Sequence, residues 1–382
     1  MKTDTFEMIS RLVGFDTVSR NSNLELIHFA RDYLAQHGID SQLVPNADGS
    51  KANLFATVGP MTEGGIVLSG HTDVVPVTGQ PWDTDPFTVV QKDGRLYGRG
   101  TCDMKSFIAI ALAKVPDMLR SGLKRPIHFA LSYDEEVGCQ GAPAMIERMA
   151  AELPKPSAVV IGEPTSMRPI MAHKGLAILR TTVTGHEAHS SQIQRGVSAV
   201  MTAAKLINHI ESMTSENGQK ADPDSLFVPP FSTLHVGVVH GGTAVNIISR
   251  ECTFTWDVRV LPGETLSLYL EPFKQYCQEL LVDMRKIAPE ANIVTEVLAD
   301  APPLADDGGV AQALAQRLSG HKCCGVVPYG TEGGQFQRAG FSVVVCGPGS
   351  IDQAHQPNEY IDIDQISACE TFIDGVIAQL AV

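Results

Sequence analysis

No stretch of this 382-residue chain approaches about 18 uninterrupted apolar residues, the length a helix needs to cross a bilayer. The opening Met1-Lys2-Thr3-Asp4-Thr5-Phe6 lacks the apolar core of a secretory signal, so a cytoplasmic protein is expected. The eight cysteines include no Cys-x-x-Cys pair. Cys102, Cys139, Cys252 and Cys346 sit inside apolar or glycine-rich runs and read as reduced structural thiols, while adjacent Cys323-Cys324 have no assigned role. Repeats and low-complexity tracts are also missing. The net charge of −14 is spread along the chain instead of gathering in a run, which argues against nucleic acid or an anionic membrane as partner.

The chain is too long for one ordinary hydrophobic core, so two domains are expected, one inserted in the other. Apolar residues at helical spacing predict helices over 4–13 (Phe6, Ile9, Leu12, Val13) and 23–37 (Leu26, Ile27, Ala30, Leu34), with Gly38 as a stop. Strands are predicted over 41–45, 53–58, 66–69, 126–132 and 157–161, giving an α/β alternation typical of layered sheets. Pro81 to Phe87 is too rich in proline and aspartate for a helix and reads as a loop that packs its aromatic rings near the site. Met104 to Arg120 reads as one helix, with Pro116 marking a late kink or stop. From about Leu176 the texture changes to alternating strands with helices near 197–210 and 265–288. A helix near 309–318, a strand 341–346 and a closing helix 364–380 then resume the earlier pattern. The expected division is a first domain over 1–178, an inserted α+β domain over 179–297, and the first domain again over 298–382.

The chemistry gathers where apolar strands end. Gly65-Ile66-Val67-Leu68-Ser69 delivers Gly70-His71-Thr72-Asp73 to a strand's carboxyl end, the place where open α/β sheets put their sites. His71 and Asp73, two apart, project on one side of an extended chain, so the aspartate can hold the imidazole's outer N–H and fix which nitrogen faces a metal. Asp103 stands at a helix start, where the helix dipole favours a carboxylate. The strand 126–132 delivers Asp134-Glu135-Glu136, three acids whose mutual repulsion a cation relieves, and the strand 157–161 delivers Glu163. With His355, these give two histidines and three carboxylates, a set suited to two divalent ions of the zinc or manganese type if Asp103 bridges. Glu135 is then left over as an acid to move a proton, and the combination points to amide hydrolysis.

Taken together, Gly70-His71-Thr72-Asp73-Val74-Val75-Pro76, Gly100-Thr101-Cys102-Asp103-Met104-Lys105, Asp134-Glu135-Glu136, Gly162-Glu163-Pro164-Thr165 and His355 resemble the dinuclear zinc amidohydrolases and exopeptidases of the M20 metallopeptidase family. Ala172-His173-Lys174-Gly175, Asp257-Val258-Arg259-Val260-Leu261-Pro262-Gly263 and Gly347-Pro348-Gly349-Ser350-Ile351-Asp352-Gln353-Ala354-His355 resemble the branch that deacetylates Nα-acetyl-L-ornithine in arginine biosynthesis. The resemblance implies a three-layer α/β/α catalytic domain of the zinc-exopeptidase kind, with an inserted ferredoxin-like lid through which two copies pair. It implies one zinc on His71, Asp103 and Glu163 and another on Asp103, Glu136 and His355, with cobalt or manganese as substitutes. It also implies Glu135 as general base, Asp73 orienting His71, and a cis peptide after Asp103.

In the insert, His189 matches the family's lid histidine that donates to the oxyanion, with His186 a weaker candidate, and Asn246 and Arg259 resemble the residues that hold a substrate α-carboxylate. Gly347 and Ser350 join them on the substrate side. Related desuccinylases carry Thr-Ser-Asp-Gly-Arg-Phe, whose arginine suits a second carboxylate. This chain reads Thr331-Glu332-Gly333-Gly334-Gln335-Phe336, where Glu332 is expected to favour a cationic substrate side chain. The alternatives are a desuccinylase, aminoacylase or dipeptidase of the same family, a non-catalytic metal- or peptide-binding protein, and a thiol enzyme acting through Cys102 or Cys139.

Overall fold

The computed structural model describes residues 3–382, which divide into two compact units. The first comprises the described residues up to Ala172 together with Leu304–Val326 and Thr331–Val382, and the second comprises His173–Pro303 with Val327–Gly330.

The first unit is built on a mixed eight-stranded sheet in the order Ser41–Pro45, Ala52–Val58, Ile127–Ser132, Ile66–His71, Ala158–Pro164, Val343–Gly347, Ile170–His173, Gly325–Val327. Ile66–His71 runs parallel to both Ile127–Ser132 and Ala158–Pro164, and Val343–Gly347 runs parallel to the latter. These four strands are buried along their whole length, as near-continuous apolar runs demand when both faces of a sheet are covered, and the helices complete a three-layer α/β/α domain. Because the strands run the same way, His71, the turn after Ser132, Glu163 and Gly347 all arrive at one end of the sheet.

Close helix packing fixes that end. The helix Lys105–Ala113 is buried at every position, and a Cβ at Gly162 would stand 2.1 Å from the ring of Phe107. Glycine therefore lets the helix behind Asp103 lie directly on the strand that carries Glu163. The expected single helix over 104–120 is in fact two, Lys105–Ala113 and Val115–Arg120, separated at Lys114. Pro116 has no N–H to donate to the carbonyl of Leu112, and its ring crowds that carbonyl, so the break comes before the proline.

A small three-stranded sheet, Val90–Lys92, Arg95–Tyr97 and Tyr360–Asp362, has no counterpart in the sequence reading. Its first two strands turn through Asp93-Gly94, both at positive φ, and its third brings the chain just after His355 alongside the chain just before Asp103.

The second unit has a four-stranded antiparallel sheet in the order Thr233–Gly241, Glu251–Val260, Gly175–Thr184, Asn292–Ala301. Burial alternates along Gly175–Thr184 and Glu251–Val260, so one face packs on a core of Phe254, Trp256, Phe273 and Leu206 under the helices Ala199–Gln219 and Ser267–Ile287. Gly175–Thr184 and Asn292–Ala301 pair along their length, and borders drawn at 179 and 297 fall inside these strands. The units divide outside them, at His173 and Pro303. Among the described residues no helix is long and apolar enough to cross a membrane.

Replacing Gly162 by alanine should cost about 1–3 kcal/mol, the usual penalty for overpacking a filled core, because Phe107 has nowhere to move. Urea unfolding that leaves the midpoint of Gly162→Ala where it is in the wild type would show this contact to be slack.

Candidate metal centre

His71 is the last residue of its strand and 1 % exposed. Its Nδ1–H donates to the backbone carbonyl of Asp73 at 2.9 Å, which leaves Nε2 as the nitrogen facing inward. Nε2 lies 2.9 Å from Asp103 Oδ1 and 3.6 Å from Glu163 Oε1. Asp103 turns its other oxygen to the second imidazole, with Oδ2 3.2 Å from His355 Nε2, and His355 Nε2 is 3.0 Å from Glu136 Oε2. The second carboxylate oxygen of Glu136 is buried without a hydrogen-bond partner. One aspartate thus stands between two histidines, each with a further glutamate at hand. The Asp103–Met104 peptide is cis.

This donor set fits divalent cations. Nitrogen lone pairs and carboxylate oxygens converge in a space buried around His71 and open to solvent at His355, whose side chain is 50% exposed, and two overlapping triples, His71 with Asp103 and Glu136 and His71 with Glu135 and Glu163, bring their ligand atoms within 4.8 Å of one another. Burial lifts Glu135 to about 8 and Glu136 to about 7, and burial reinforced by the Asp103 charge holds Glu163 well above the ordinary carboxylate range. Burial works against a charged His71, yet Glu163 and Asp103 hold it protonated well above its ordinary value, and hydrogen bonds to Asp103 and Glu136 raise His355 to about 10. Asp103 itself is lowered: burial opposes this, but the two imidazoles outweigh it.

Asp73 holds the site differently from the expected histidine clamp. Its carboxylate stands 3.6 Å from His71 Nδ1, and the short contact to the ring comes from its backbone carbonyl. The carboxylate instead accepts from Ser19 Oγ at 2.7 Å and from the backbone N–H groups of Glu135 at 3.1 Å and Glu136 at 3.3 Å, fixing the turn that carries both acids. The third acid of that turn, Asp134, points away to an ion pair with Lys51, a partner the sequence did not reveal. Glu135 Oε1 accepts from the Cys139 thiol at 3.2 Å.

Glu332 is 1 % exposed and joins this centre from below, with Ser132, His71, Asp73 and Ser69 around it and Oε1 lacking a partner. Burial raises it to about 7, and its charge helps to raise Glu135. It therefore meets the site through its field and offers no surface for an ammonium group to touch. Gly347 ends its strand against the Gly162 backbone, and the Ser350 hydroxyl accepts the Asp352 N–H of its own turn. His189, Asn246 and Arg259 belong to the second unit. His189 and Asn246 are exposed and adjacent, with Ser190 N–H donating to the Asn246 carbonyl at 3.0 Å, and His189 Nδ1 is engaged by Ser191. Arg259 Nε reaches Asp257 at 3.4 Å, and the His186 ring pairs with Glu290 at 2.6 Å. The eight cysteines are unpaired. Burial drives the thiols of Cys102 and Cys139 far above their ordinary value, which makes them poor nucleophiles at neutral pH.

The fold and this cluster define a hydrolase of the metallopeptidase kind. The chain belongs to peptidase family M20/M25/M40, whose model matches residues 67–379, a metal-dependent family. The acetylornithine deacetylase of Myxococcus xanthus is 35% identical over 378 residues, covering 97% of this chain and 96% of its own. That of Proteus mirabilis (strain HI4320) is 35% identical over 375 residues, covering 95% and 93%. Among solved structures, an M20 metallo-carboxypeptidase from Sulfolobus solfataricus superposes with a TM-score of 0.76 at 19% identity over 100% of this chain and 99% of its own. A dinuclear metal-binding M20 peptidase from Bacillus subtilis gives 0.63 at 15% identity over 99% and 97%.

Glu135, Glu136 and His355 all hold their protons more tightly when folded. The stability they lend is complete at low pH, starts to fall above the ordinary values of 4.5 for the carboxyls and 6.5 for the imidazole, and is lost as pH rises through about 7, 8 and 10. Asp103, being lowered, contributes stability that is present above its ordinary value of 3.8 and is lost only as pH falls below it. Calorimetry of metal-free protein should therefore show a melting temperature that falls from about pH 6 to about pH 9, and added divalent ion should restore it most at the alkaline end. A profile unchanged by metal would mean that these acids do not share an ion.

Proposed function

We propose that this chain is a two-metal amide hydrolase that cleaves Nα-acetyl-L-ornithine to L-ornithine and acetate, a cytoplasmic step of arginine biosynthesis. The observation that carries the hydrolytic reading is the division of Asp103, one oxygen toward His71 and the other toward His355, with Glu163 and Glu136 completing the two sets. The substrate reading is supported by the acetylornithine deacetylases that match nearly the whole chain, and by the lack of an arginine in Thr331-Glu332-Gly333-Gly334-Gln335-Phe336 that would read a second carboxylate.

In this reading His71, Asp103 and Glu163 hold one ion and Asp103, Glu136 and His355 the other, with zinc favoured by the mixture of imidazole and carboxylate, and cobalt or manganese able to replace it. Ions bound there would activate water and polarise the scissile carbonyl. Glu135, beside His71 and Glu163 in the cluster, takes the proton of the attacking water and passes it to the departing nitrogen as the C–N bond breaks. Asp73 keeps the Glu135 backbone in place for that transfer. From their motifs alone, His189 donates to the oxyanion, Asn246 and Arg259 take the α-carboxylate, and Gly347 and Ser350 border the substrate. Glu332 favours a cationic side chain through its charge. Pairing of two chains through the second unit belongs to the same reading and is tested by light scattering.

Glu135→Gln should lower kcat on Nα-acetylornithine by about 10²–10⁴-fold, the range of general-base catalysis, with metal content intact. A variant that keeps more than a tenth of the wild-type rate removes Glu135 from proton transfer. Comparing kcat/KM for Nα-acetylornithine and acetyl-norleucine, Glu332→Gln should lose more on the charged substrate; equal losses rule out a part in side-chain selection. Preference for succinyl-diaminopimelate or a dipeptide over Nα-acetylornithine would replace the substrate reading.

A further inference from the structure

Glu359 immediately precedes the third strand of the small sheet, is 1 % exposed, and collects an unusual set of donors. Its carboxylate accepts the backbone N–H groups of Gly100 at 3.1 Å, Cys102 at 2.8 Å and Asp103 at 3.0 Å, and the Arg99 guanidinium at 2.6 Å. Its own carbonyl accepts from Gly98 N–H at 2.9 Å. The segment that presents Asp103 is thus wrapped around one acid. Arg99 extends the connection the other way: Nη1 donates to the Gln356 carbonyl at 3.3 Å, Nη2 to Gln80 Oε1 at 2.6 Å, and Gln80 Nε2 to the carbonyl of His355 itself at 2.9 Å. The Trp82 ring covers the guanidinium at 5.1 Å.

A buried ion pair is a weak source of stability, since well-packed apolar residues of the same volume commonly do as well, and here Arg99 Nε is left without a partner. What the network does offer is geometry: it joins the segment carrying Asp103 to the segment carrying His355.

We infer that Glu359 is a positioning residue that sets the placement of Asp103 directly, through three backbone donors, and that of His355 indirectly, through Arg99 and Gln80. The inference rests on the two-metal reading above. Groups that orient metal ligands in this way are typically worth about 10–100-fold in metal affinity. Because Asp103 serves both ions and His355 only one, the two ends of the network differ in their effect.

The test is titration of metal-free protein with Co²⁺ alone, followed by calorimetry and absorbance, together with thermal unfolding of the metal-free variants. Glu359→Gln should weaken both ions by about 10–100-fold. Gln80→Ala should weaken one ion and leave the other at its wild-type affinity. Wild-type affinity for both ions in both variants overturns the inference. If Glu359→Gln fails to fold, Gln80→Ala decides alone: loss of one ion of two supports the inference, and two unaltered ions overturn it. Wild-type protein that takes up no Co²⁺ refutes the two-metal reading instead, so the two failures are distinguishable.

Discussion

Negative charge packed into a largely buried space is the constraint on which the first unit depends. Asp73, Asp103, Glu135, Glu136, Glu163 and Glu332 meet around His71 and His355 at one end of a buried parallel sheet, and no such cluster holds unless each charge is protonated, paired with a donor or shared with a cation. Hydrogen-bond donors and an ion pair answer part of that charge. Backbone N–H groups of the acidic turn converge on Asp73, those of the Asp103 segment converge on Glu359, and Lys51 draws Asp134 out of the cluster. What these leave over is a pair of imidazoles and five carboxylates, those of Asp103, Glu135, Glu136, Glu163 and Glu332, which is where a cation lowers the energy most.

The same constraint explains which parts of the site were legible in the sequence. His71, Glu136 and Glu163 each follow an apolar run with β character, so a parallel sheet had to bring them to one edge, and the register of the central strands does so. Asp103 was marked by the helix behind it. The supporting residues left no such trace. Cys102 N–H meets the Glu359 carboxylate across 257 positions, and hydrogen bonds to backbone donors impose neither periodicity nor a motif. The Asp73 carbonyl, not its carboxylate, makes the short bond to His71, because spacing tells which side a residue faces and not which of its atoms arrives. Glu332, expected to favour a cationic substrate side chain, is buried at the N-terminal end of the short helix Gly333–Arg338, a placement its glycine-rich surroundings in the sequence do not reveal.

The hairpin Val90–Tyr97 has only three residues per strand and leaves little pattern, and the helix Ala199–Gln219 continues well past Ile210, where its apolar pattern thins into polar residues. The helix Ala142–Glu152, by contrast, buries Met145, Ile146 and Met149 at helical spacing and has no counterpart in the sequence analysis. In the second unit the alternation along Gly175–Thr184 and Glu251–Val260 was plain, but pairing, not composition, fixes the ends of its strands.

The second unit interrupts the first after Ala172, so His71, Asp103, Glu136 and Glu163 leave the ribosome long before His355 and Glu359. During that interval the acids have no His355 to face and the Asp103 segment has no carboxylate to wrap around. On the two-metal reading, ion capture is then a late event in biogenesis, tied to the arrival of the last strands.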